Sequence, residues 1–304
     1  MKSKRKFIMV SIAPALISFL LLFLYPMLRT FLVSFYKVKS VADATSLWEY
    51  AGFSNYIYLL KNSPLFIQSF INIFKIWFIG GIITMFFAVI FAFILTSGVR
   101  FKVFWRSLIY LPNTISAVAM ATMWTQYVYN NQDFGLFKSV FRALGIRALA
   151  DIQWTGPQFI FTGMLIAFCF GSVGYYMLIL LAGMEGIPKE LYEASKLDGA
   201  SLFVQFTKIT LPLIRNVFRT CIVLWTIAAI NFFVWAQMFS PWPDPNTITP
   251  VYYMYIIVFG VGTGAIPKDV NVGMGAAVAV LLTIVVLVLY GVINLAIPEK
   301  KLEY

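Results

Sequence analysis

The sequence predicts an all-α, polytopic membrane protein, and three observations support this. Of its 304 residues, 61% are hydrophobic and only 12% are charged, whereas about 25% of the residues in a typical soluble domain are charged. The mean hydropathy is +0.85. Six apolar stretches have roughly the 20 residues that a helix needs to cross ~30 Å of hydrocarbon. These features exclude an ordinary soluble domain and a disordered chain.

The six predicted spans are continuously apolar, whereas the strands of a membrane barrel alternate apolar and polar residues. Pro14, Pro26 and Pro112 predict kinks in the helices. Together with their loops the spans form a single transmembrane domain over residues 1–304. Glycines inside the spans favour close helix packing in lipid; they are Gly80, Gly81, Gly163, Gly171 and Gly174. The approximate bounds of the spans are 7–28, 76–95, 108–129, 159–181, 217–239 and 274–297.

The distribution of charge predicts the orientation. The net charge is +11 with no His, and the positive-inside rule explains such an excess in a membrane protein better than a nucleic-acid partner does. Six crossings place both termini on one side, together with the loops 96–107 and 182–216. That side is predicted to be cytoplasmic because it holds most of the basic residues: Lys2, Lys4, Arg5, Lys6, Arg100, Lys102, Arg106, Lys189, Lys196, Lys208, Arg215, Arg219, Lys300 and Lys301.

The most informative segment is the cytoplasmic loop 183–212. Pro188 suits the first turn of a helix over Lys189–Leu197, and Gly199 follows where a left-handed helix stop is expected. Ser201 is a candidate N-cap for a second short helix that runs to Pro212. Two readings of this helix-turn-helix stay open from the residues alone: a solvated connector, or a knob that contacts a partner outside the membrane.

This loop also carries a resemblance to a known family. Glu193-Ala194-Ser195, three residues, Gly199, nine residues and Ile209-Thr210-Leu211-Pro212 resemble the EAA loop of binding-protein-dependent ABC importers. Ser195 departs from the second Ala that is usual there. Tyr50–Tyr56, Phe104–Pro112 and Ser116–Trp124 are similar to segments of the carbohydrate permeases in the maltose and glycerol-phosphate branch. A second departure is Ser240–Pro243, where family members often have Gly-Gly-Pro.

The resemblance implies a permease subunit of an ATP-driven importer in the bacterial plasma membrane. The resemblance implies import of a sugar or oligosaccharide, with a second permease, two ATP-binding subunits and an extracellular solute-binding protein as partners. The branch resembled normally forms a heterodimer of permeases, and the sequence leaves open whether the companion here is a distinct chain. ATP and Mg are used by the partner ATPase, since this chain has no Gly-Lys dipeptide of a nucleotide-binding loop, and no cofactor is bound by the chain itself. The residues that the resemblance assigns to ATPase coupling are Glu193, Ala194, Ser195, Asp198, Gly199, Ile209, Leu211 and Pro212.

A sugar route needs hydrogen-bonding groups and flat aromatic faces. In the fifth span Asn231 and Trp235 are one turn apart, and in the third span Thr122 and Gln126 are one turn apart with Trp124 nearby. Tyr175 and Tyr176 lie near the middle of the fourth span. The alternative is that these groups bond across helices or pack. The candidate path residues are Gln126, Tyr175, Tyr176, Asn231 and Trp235.

Other function classes have weaker support. An ion-coupled secondary transporter would need intramembrane carboxylates or His, and the six apolar cores contain none. A membrane enzyme lacks an acid, base or nucleophile constellation, and Cys169 and Cys221 are too few for a metal site. An assembly subunit without a transport path stays open as a further alternative.

Overall fold

The computed structural model describes residues 2–260 and 271–298, with side chains from residue 9 onward. It confirms the all-α prediction, since its only strands in these ranges are Tyr36–Lys37 and Glu49–Tyr50. Two of the basic residues used to predict the orientation, Lys300 and Lys301, lie outside the described residues. Internal contacts divide the chain into two compact units, residues 1–67 with 253–284 and residues 68–252 with 285–304.

The helices follow the apolar stretches and also occupy the loops between them. Short π-helical turns lie at Leu20–Leu24, Ile76–Gly80, Trp124–Val128 and Phe206–Thr210, and 3-10 turns at Thr45–Leu47 and Leu111–Thr114. The α-helices are Lys2–Phe19, Tyr25–Val33, Ser54–Asn62, Pro64–Lys75, Gly81–Thr96, Lys102–Tyr110, Ala117–Met123, Leu136–Ala143, Arg147–Ala150, Ile160–Glu185, Lys189–Leu197, Leu202–Gln205, Leu211–Leu213, Arg215–Ile230, Val234–Phe239, Pro250–Phe259 and Val272–Ala296.

Not every predicted span is one straight helix. Within the described ranges, four helices are long and apolar enough to cross a membrane: Met9–Val33, Pro64–Thr96, Ile160–Glu185 and Val272–Ala296. A fifth crossing is formed only if Leu202–Leu213 and Arg215–Ile230, which are bent by 68° at their junction, count as one span.

The stretch predicted as the third span, about 108–129, is broken. Lys102–Tyr110 passes into the 3-10 turn Leu111–Thr114, and a new helix begins at Ala117. Pro112 and the N-cap Ser116, whose Oγ accepts the Ala119 N–H at 3.3 Å, explain the break. The interruption that Pro112 predicted is therefore present, and the stretch consists of two helices joined by a 3-10 turn.

In the first unit, a side-chain amide organises the turn after the N-terminal helix. The two short strands pair antiparallel, with Tyr36 opposite Tyr50. Asn55 Nδ2 donates to the carbonyls of Ser34 at 2.9 Å and Tyr36 at 3.0 Å. Asn55 is buried, so it supplies partners that the strands alone do not. One cluster of buried apolar residues in this unit consists of Val33, Val38 and Ala276.

In the second unit, the long helix Ile160–Glu185 is the central element. It packs along Gly81–Thr96, and fourteen of its residues are buried. Small residues allow this packing. A Cβ on Gly174 would lie 2.4 Å from the carbonyl oxygen of Ile109, and a Cβ on Gly81 would lie 2.7 Å from Trp225 Nε1. The prediction that these two glycines serve close packing is confirmed.

Two tryptophans join the second and fifth predicted spans. Trp225 Nε1 donates to the carbonyl of Trp77 at 2.8 Å, and Trp77 Nε1 donates to Thr226 Oγ1 at 2.9 Å. Each indole thereby satisfies its polar group inside the helix packing, where an unsatisfied donor would be costly. These two hydrogen bonds fix the axial position of one helix relative to the other.

We predict that Gly174→Ala destabilises the protein, because its new methyl group would meet rigid backbone at Ile109. Overpacking of this kind costs about 1–3 kcal/mol, and the thermal unfolding temperature in detergent should fall. Gly171→Ala, on the same helix, is the matched control: its nearest neighbour, Trp235, is 3.9 Å away. Equal unfolding temperatures for the two variants would contradict the prediction.

Candidate functional site

The loop 183–212 begins with a helix whose end is fixed by Gly199. The helix Lys189–Leu197 has the predicted bounds. Gly199 has φ +79°, the left-handed conformation that glycine adopts without strain. The Ala200 N–H donates to the Ser195 carbonyl at 2.9 Å, and the Gly199 N–H donates to the Lys196 carbonyl at 3.0 Å. These two bonds form a Schellman motif, which ends the helix and turns the chain sharply.

The second arm of the loop is helical as well. Ser201 caps it as predicted, because its Oγ accepts the N–H of Val204 at 3.4 Å. The arm continues through Leu202–Gln205 and a π-helical turn, Phe206–Thr210, to the final turn Leu211–Leu213. Pro212 sits in that final turn, where a missing N–H is tolerated.

Side-chain hydrogen bonds connect the two arms. The hydroxyls of Tyr192 and Thr210 are 2.9 Å apart, and Gln205 Nε2 donates to the Ala200 carbonyl at 3.3 Å. Thr210 and Gln205 are buried. The two arms therefore form one braced unit instead of a flexible connector.

The loop is also joined to the helices around it. The Phe206 ring packs on Phe93, near the end of Gly81–Thr96, with centroids 4.5 Å apart. Glu185, the last residue of the long helix, forms an ion pair with Lys102. The first contact attaches the loop to the end of the second predicted span. The ion pair attaches it to the helix that leads into the third predicted span.

The residues assigned to coupling lie mostly at the surface of the loop. Glu193, Ala194, Asp198, Gly199, Leu211 and Pro212 are exposed, while Ser195 and Ile209 are half-buried. Ser195 Oγ donates to the carbonyl of Tyr192 at 2.8 Å, so the small polar residue at this position fits inside the helix. Most of the residues in this set are therefore accessible on the loop.

An apolar patch beside these residues was not assigned from the sequence. Leu197 is 91% exposed, Phe203 74% and Leu202 60%. All three lie at the turn between the arms, around Gly199. Large exposed apolar side chains grouped in this way mark an interaction surface. The signal in the sequence was that Leu197 and Leu202–Phe203 flank the polar turn residues Asp198–Ser201.

A cavity of about 500 Å³ lies beside the middle of the long helix. Three of the five candidate path residues line it: Tyr175, Tyr176 and Trp235. The helices Arg215–Ile230 and Ala117–Met123 and the break at Pro112 supply other walls. The remaining lining residues are Pro112, Asn113, Ile115, Ala117, Met120, Phe168, Gly171, Ser172, Leu224, Ile227 and Ala228.

The aromatic side chains of the cavity differ in how far they are accessible. Tyr175 is 37% exposed, whereas Tyr176 is 2% and Trp235 is 8% exposed. The two tyrosine rings meet edge to face at 5.1 Å, and Trp235 packs edge to face on Phe168 at 5.7 Å. Tyr175 is thus the aromatic face that the cavity presents, and the other two rings support it.

Sequence reasoning missed the amide and hydroxyl groups that line this cavity. Asn113 Nδ2 donates to the Gly171 carbonyl at 3.2 Å, and Ser172 Oγ donates to the Phe168 carbonyl at 2.8 Å. Asn113 follows Pro112 directly, so a proline break with a neighbouring amide was the available signal. Among the residues that line the cavity, none carries a formal charge.

Two candidate path residues are not part of this cavity, and for Asn231 the structural basis of the expectation was wrong. The helix ends at Ile230 and restarts at Val234, so Asn231 and Trp235 are not successive turns of one helix. Asn231 instead caps the helix end, with Nδ2 donating to the Ile227 carbonyl at 3.1 Å. Gln126 is exposed, and its carbonyl accepts from Asn130 Nδ2 at 2.8 Å.

Thr122 and Trp124 also lie outside the cavity lining. Thr122 Oγ1 donates to the Val118 carbonyl at 2.9 Å. Trp124 is buried against Tyr129, with ring centroids 5.0 Å apart. For Trp124 the packing alternative describes what the structure shows, whereas Thr122 bonds within its own helix.

Solved structures share this fold. The chain is similar to a subunit of a bacterial ABC transporter involved in the import of the acidic polysaccharide alginate, with a TM-score of 0.75, 19% identity and 96% of each chain covered. It matches the alginate transporter in complex with an alginate pentasaccharide-bound periplasmic protein at a TM-score of 0.74, with 20% identity and 96% and 94% coverage.

Curated relatives extend the comparison. The trehalose/maltose transport system permease protein MalF of Thermococcus litoralis is 29% identical over 225 residues, covering 73% of this chain and 72% of that protein. The arabinooligosaccharide permease protein AraP of Bacillus subtilis is 29% identical, covering 80% and 75%. The lactose permease protein LacF of Rhizobium radiobacter is 28% identical, covering 82% of both.

The family model named "binding-protein-dependent transport system inner membrane component" matches residues 85–301. That range includes the braced loop and every residue that lines the cavity. It also covers most of the chain, so this protein belongs to the family of binding-protein-dependent transport system inner membrane components.

Proposed function

We propose that this chain is a permease subunit of an ATP-driven importer that moves a sugar or an oligosaccharide across the plasma membrane. The observation that carries the proposal is the braced loop with its exposed apolar patch, a surface suited to a partner outside the membrane. The named relatives transport trehalose or maltose, arabinooligosaccharides and lactose, and these names support a saccharide as the cargo.

The loop is proposed to dock on an ATP-binding subunit at the cytoplasmic side. Leu197, Leu202 and Phe203 supply the apolar contact, and the exposed Glu193 supplies a charge that meets a basic residue of that subunit. A core of buried apolar side chains with a charged rim is the usual anatomy of a protein interface. ATP and Mg then belong to the partner subunit, and both termini of this chain face the cytoplasm.

The cavity is proposed to be this chain's part of the saccharide route. Sugars present hydroxyl rims and apolar C–H faces, so an open tyrosine ring flanked by an amide and a hydroxyl can contact both. Tyr175, Asn113 and Ser172 provide these groups around a cavity of about 500 Å³, within the ~300–1,000 Å³ range typical of ligand sites. A second permease subunit and an extracellular binding protein complete the proposed assembly.

The test of the proposal is reconstitution of the chain with its companion permease, its ATP-binding subunits and its binding protein. ATP hydrolysis should rise when the sugar-loaded binding protein is added, and sugar should accumulate inside the vesicles. Sugar uptake by the purified chain alone, driven by an ion gradient, would instead support a secondary transporter and overturn the proposal.

We predict that Glu193→Lys separates the ATP-binding subunits from the membrane subunits. A lysine at position 193 would face the basic residue of that subunit, and juxtaposed like charges at an interface cost several kcal/mol, so uptake should fall to less than about a tenth. Co-purification of the ATP-binding subunits measures docking directly. Asp151→Lys makes the same charge change at an exposed residue outside the loop and should leave co-purification intact. Normal recovery of the ATP-binding subunits with Glu193→Lys would refute the assignment.

We predict that Tyr175→Ala slows uptake about tenfold, which corresponds to ~1.4 kcal/mol of lost interaction. The ring is the accessible aromatic face of the cavity, whereas Tyr175→Phe keeps that face and should retain most activity. Co-purification of the ATP-binding subunits should not change. Tyr25→Ala removes a more exposed ring, from the helix Tyr25–Val33 and outside the cavity, and serves as the control. Unchanged uptake with Tyr175→Ala would remove this residue from the route.

A further inference from the structure

The helix Leu136–Ala143 lies in the segment that joins the broken third span to the long helix. Its inner side packs into an aromatic cluster that consists of Trp124, Tyr129, Phe137 and Trp154. The Phe137 ring lies edge to face on Trp124 at 5.8 Å, on Tyr129 at 5.2 Å and on Trp154 at 5.7 Å. This packing fixes the position of the helix on the second unit.

The aromatic cluster also sets the depth of the helix relative to the membrane. Trp124 belongs to the last turns of the stretch 108–129, and Tyr129 OH donates to the carbonyl of Gly163 at 3.0 Å, in the first turn of the long helix. Phe137 therefore reaches side chains that lie where both apolar segments end. The helix Leu136–Ala143 is therefore held at the level where these two apolar segments end.

The polar side of this helix is already occupied by the chain itself. Arg142 Nη1 lies 2.8 Å and Lys138 Nζ 3.6 Å from Asp133 Oδ1, and Ser139 Oγ donates to the Asp133 carbonyl at 2.9 Å. The hydrogen bond and the charge of Arg142, with a further contribution from Lys138, lower the pKa of Asp133 below its ordinary value. The carboxylate therefore stays ionised at neutral pH and forms ion pairs with both Arg142 and Lys138.

The opposite side of the helix carries an uncovered apolar stripe. Leu136, Val140 and Leu144 are spaced four residues apart, so they follow one face of the helix. They are 53%, 43% and 65% exposed. A short helix with one apolar and one charged side, next to membrane spans, has the form of a segment that lies in the bilayer interface.

We propose that the helix Leu136–Ala143 is an interfacial anchor, with its apolar stripe inserted among membrane lipids at the headgroup boundary. The 48% exposed Phe170 of the long helix packs edge to face on Trp124 at 5.4 Å, so exposed apolar surface of the long helix borders the same aromatic cluster that holds this helix in place. In the predicted orientation the lipids are those of the outer leaflet.

The proposal is tested by nitroxide labels on the full chain, assembled in its complex and placed in vesicles of phosphatidylcholine and phosphatidylglycerol. Val140→Cys and Leu144→Cys place labels on the stripe, and Ser139→Cys places one on the polar side of the same helix. Cys169 and Cys221 are buried, so the label reports the introduced cysteine. Only labelled complexes that retain uptake are compared, which excludes misfolded material.

We expect collisions with oxygen relative to collisions with a nickel chelate to be several-fold more frequent at Val140 and Leu144 than at Ser139. The stripe labels should lie ~5–10 Å into the headgroup and acyl boundary. Equal ratios at all three positions would overturn the proposal. The proposal would also be overturned if the stripe labels collided frequently with the nickel chelate and lost these collisions only when the binding protein was added. The stripe would then be a docking surface for that protein.

Discussion

The close packing of the long helix Ile160–Glu185 is the constraint on which the rest of the second unit depends. Its small residues allow backbone and indole groups to approach, as Gly174 does at Ile109. In lipid there is no hydrophobic drive between apolar helices, so such van der Waals contact is a main source of association. The first turn of this helix anchors the aromatic cluster, its middle lines the cavity, and its last residue begins the loop. This one helix therefore fixes the relative positions of the aromatic cluster, the cavity and the loop.

The broken helices are understandable from the same constraint. Irregular backbone at membrane depth is tolerated where it is buried in protein or lines a cavity, because its polar groups must find partners there. The break after Ile230 meets this requirement: Thr249 Oγ1 donates to the Phe232 carbonyl at 2.8 Å. At the break around Pro112, Asn113 donates to the Gly171 carbonyl. Both breaks border the cavity, which suggests that they open space for it.

Much of this structure could be predicted from local sequence signals. The helix Lys189–Leu197, its stop at Gly199 and the cap at Ser201 depend on neighbouring residues, so proline, glycine and serine spacing was sufficient. The resemblance of the loop to the EAA pattern led to the family that the comparison bears out. The prediction that Gly81 and Gly174 serve close packing was correct, because a glycine inside an apolar span already indicates that helices approach closely there.

The errors came from contacts between distant residues. Periodicity alone treats 217–239 as one helix, and it therefore placed Asn231 on the face of Trp235. Whether a helix breaks depends on partners such as Thr249, which no local pattern around residue 231 reveals. The same holds for the hydrogen bond between Tyr192 and Thr210, which braces the loop, and for the bond from Asn113 to the Gly171 carbonyl. These pairs become visible only when the chain is folded.

The geometry also explains how events at the loop could reach the cavity. The first arm of the loop follows the long helix, and the second arm leads into Arg215–Ile230 through a 68° bend. At the base of the loop these two helices are in close contact, since a Cβ on Gly183 would lie 2.9 Å from Val217 Cγ2. Farther from the loop both helices line the cavity, with Tyr175 on one and Ile227 on the other. Because the Tyr192–Thr210 bond makes the arms one unit, under the proposed function a rotation of the loop would act on both helices together. Packed helices move as rigid bodies in such transitions, so a tilt of this pair would shift Tyr175 relative to the cavity walls that the helix Ala117–Met123 and the break at Pro112 supply.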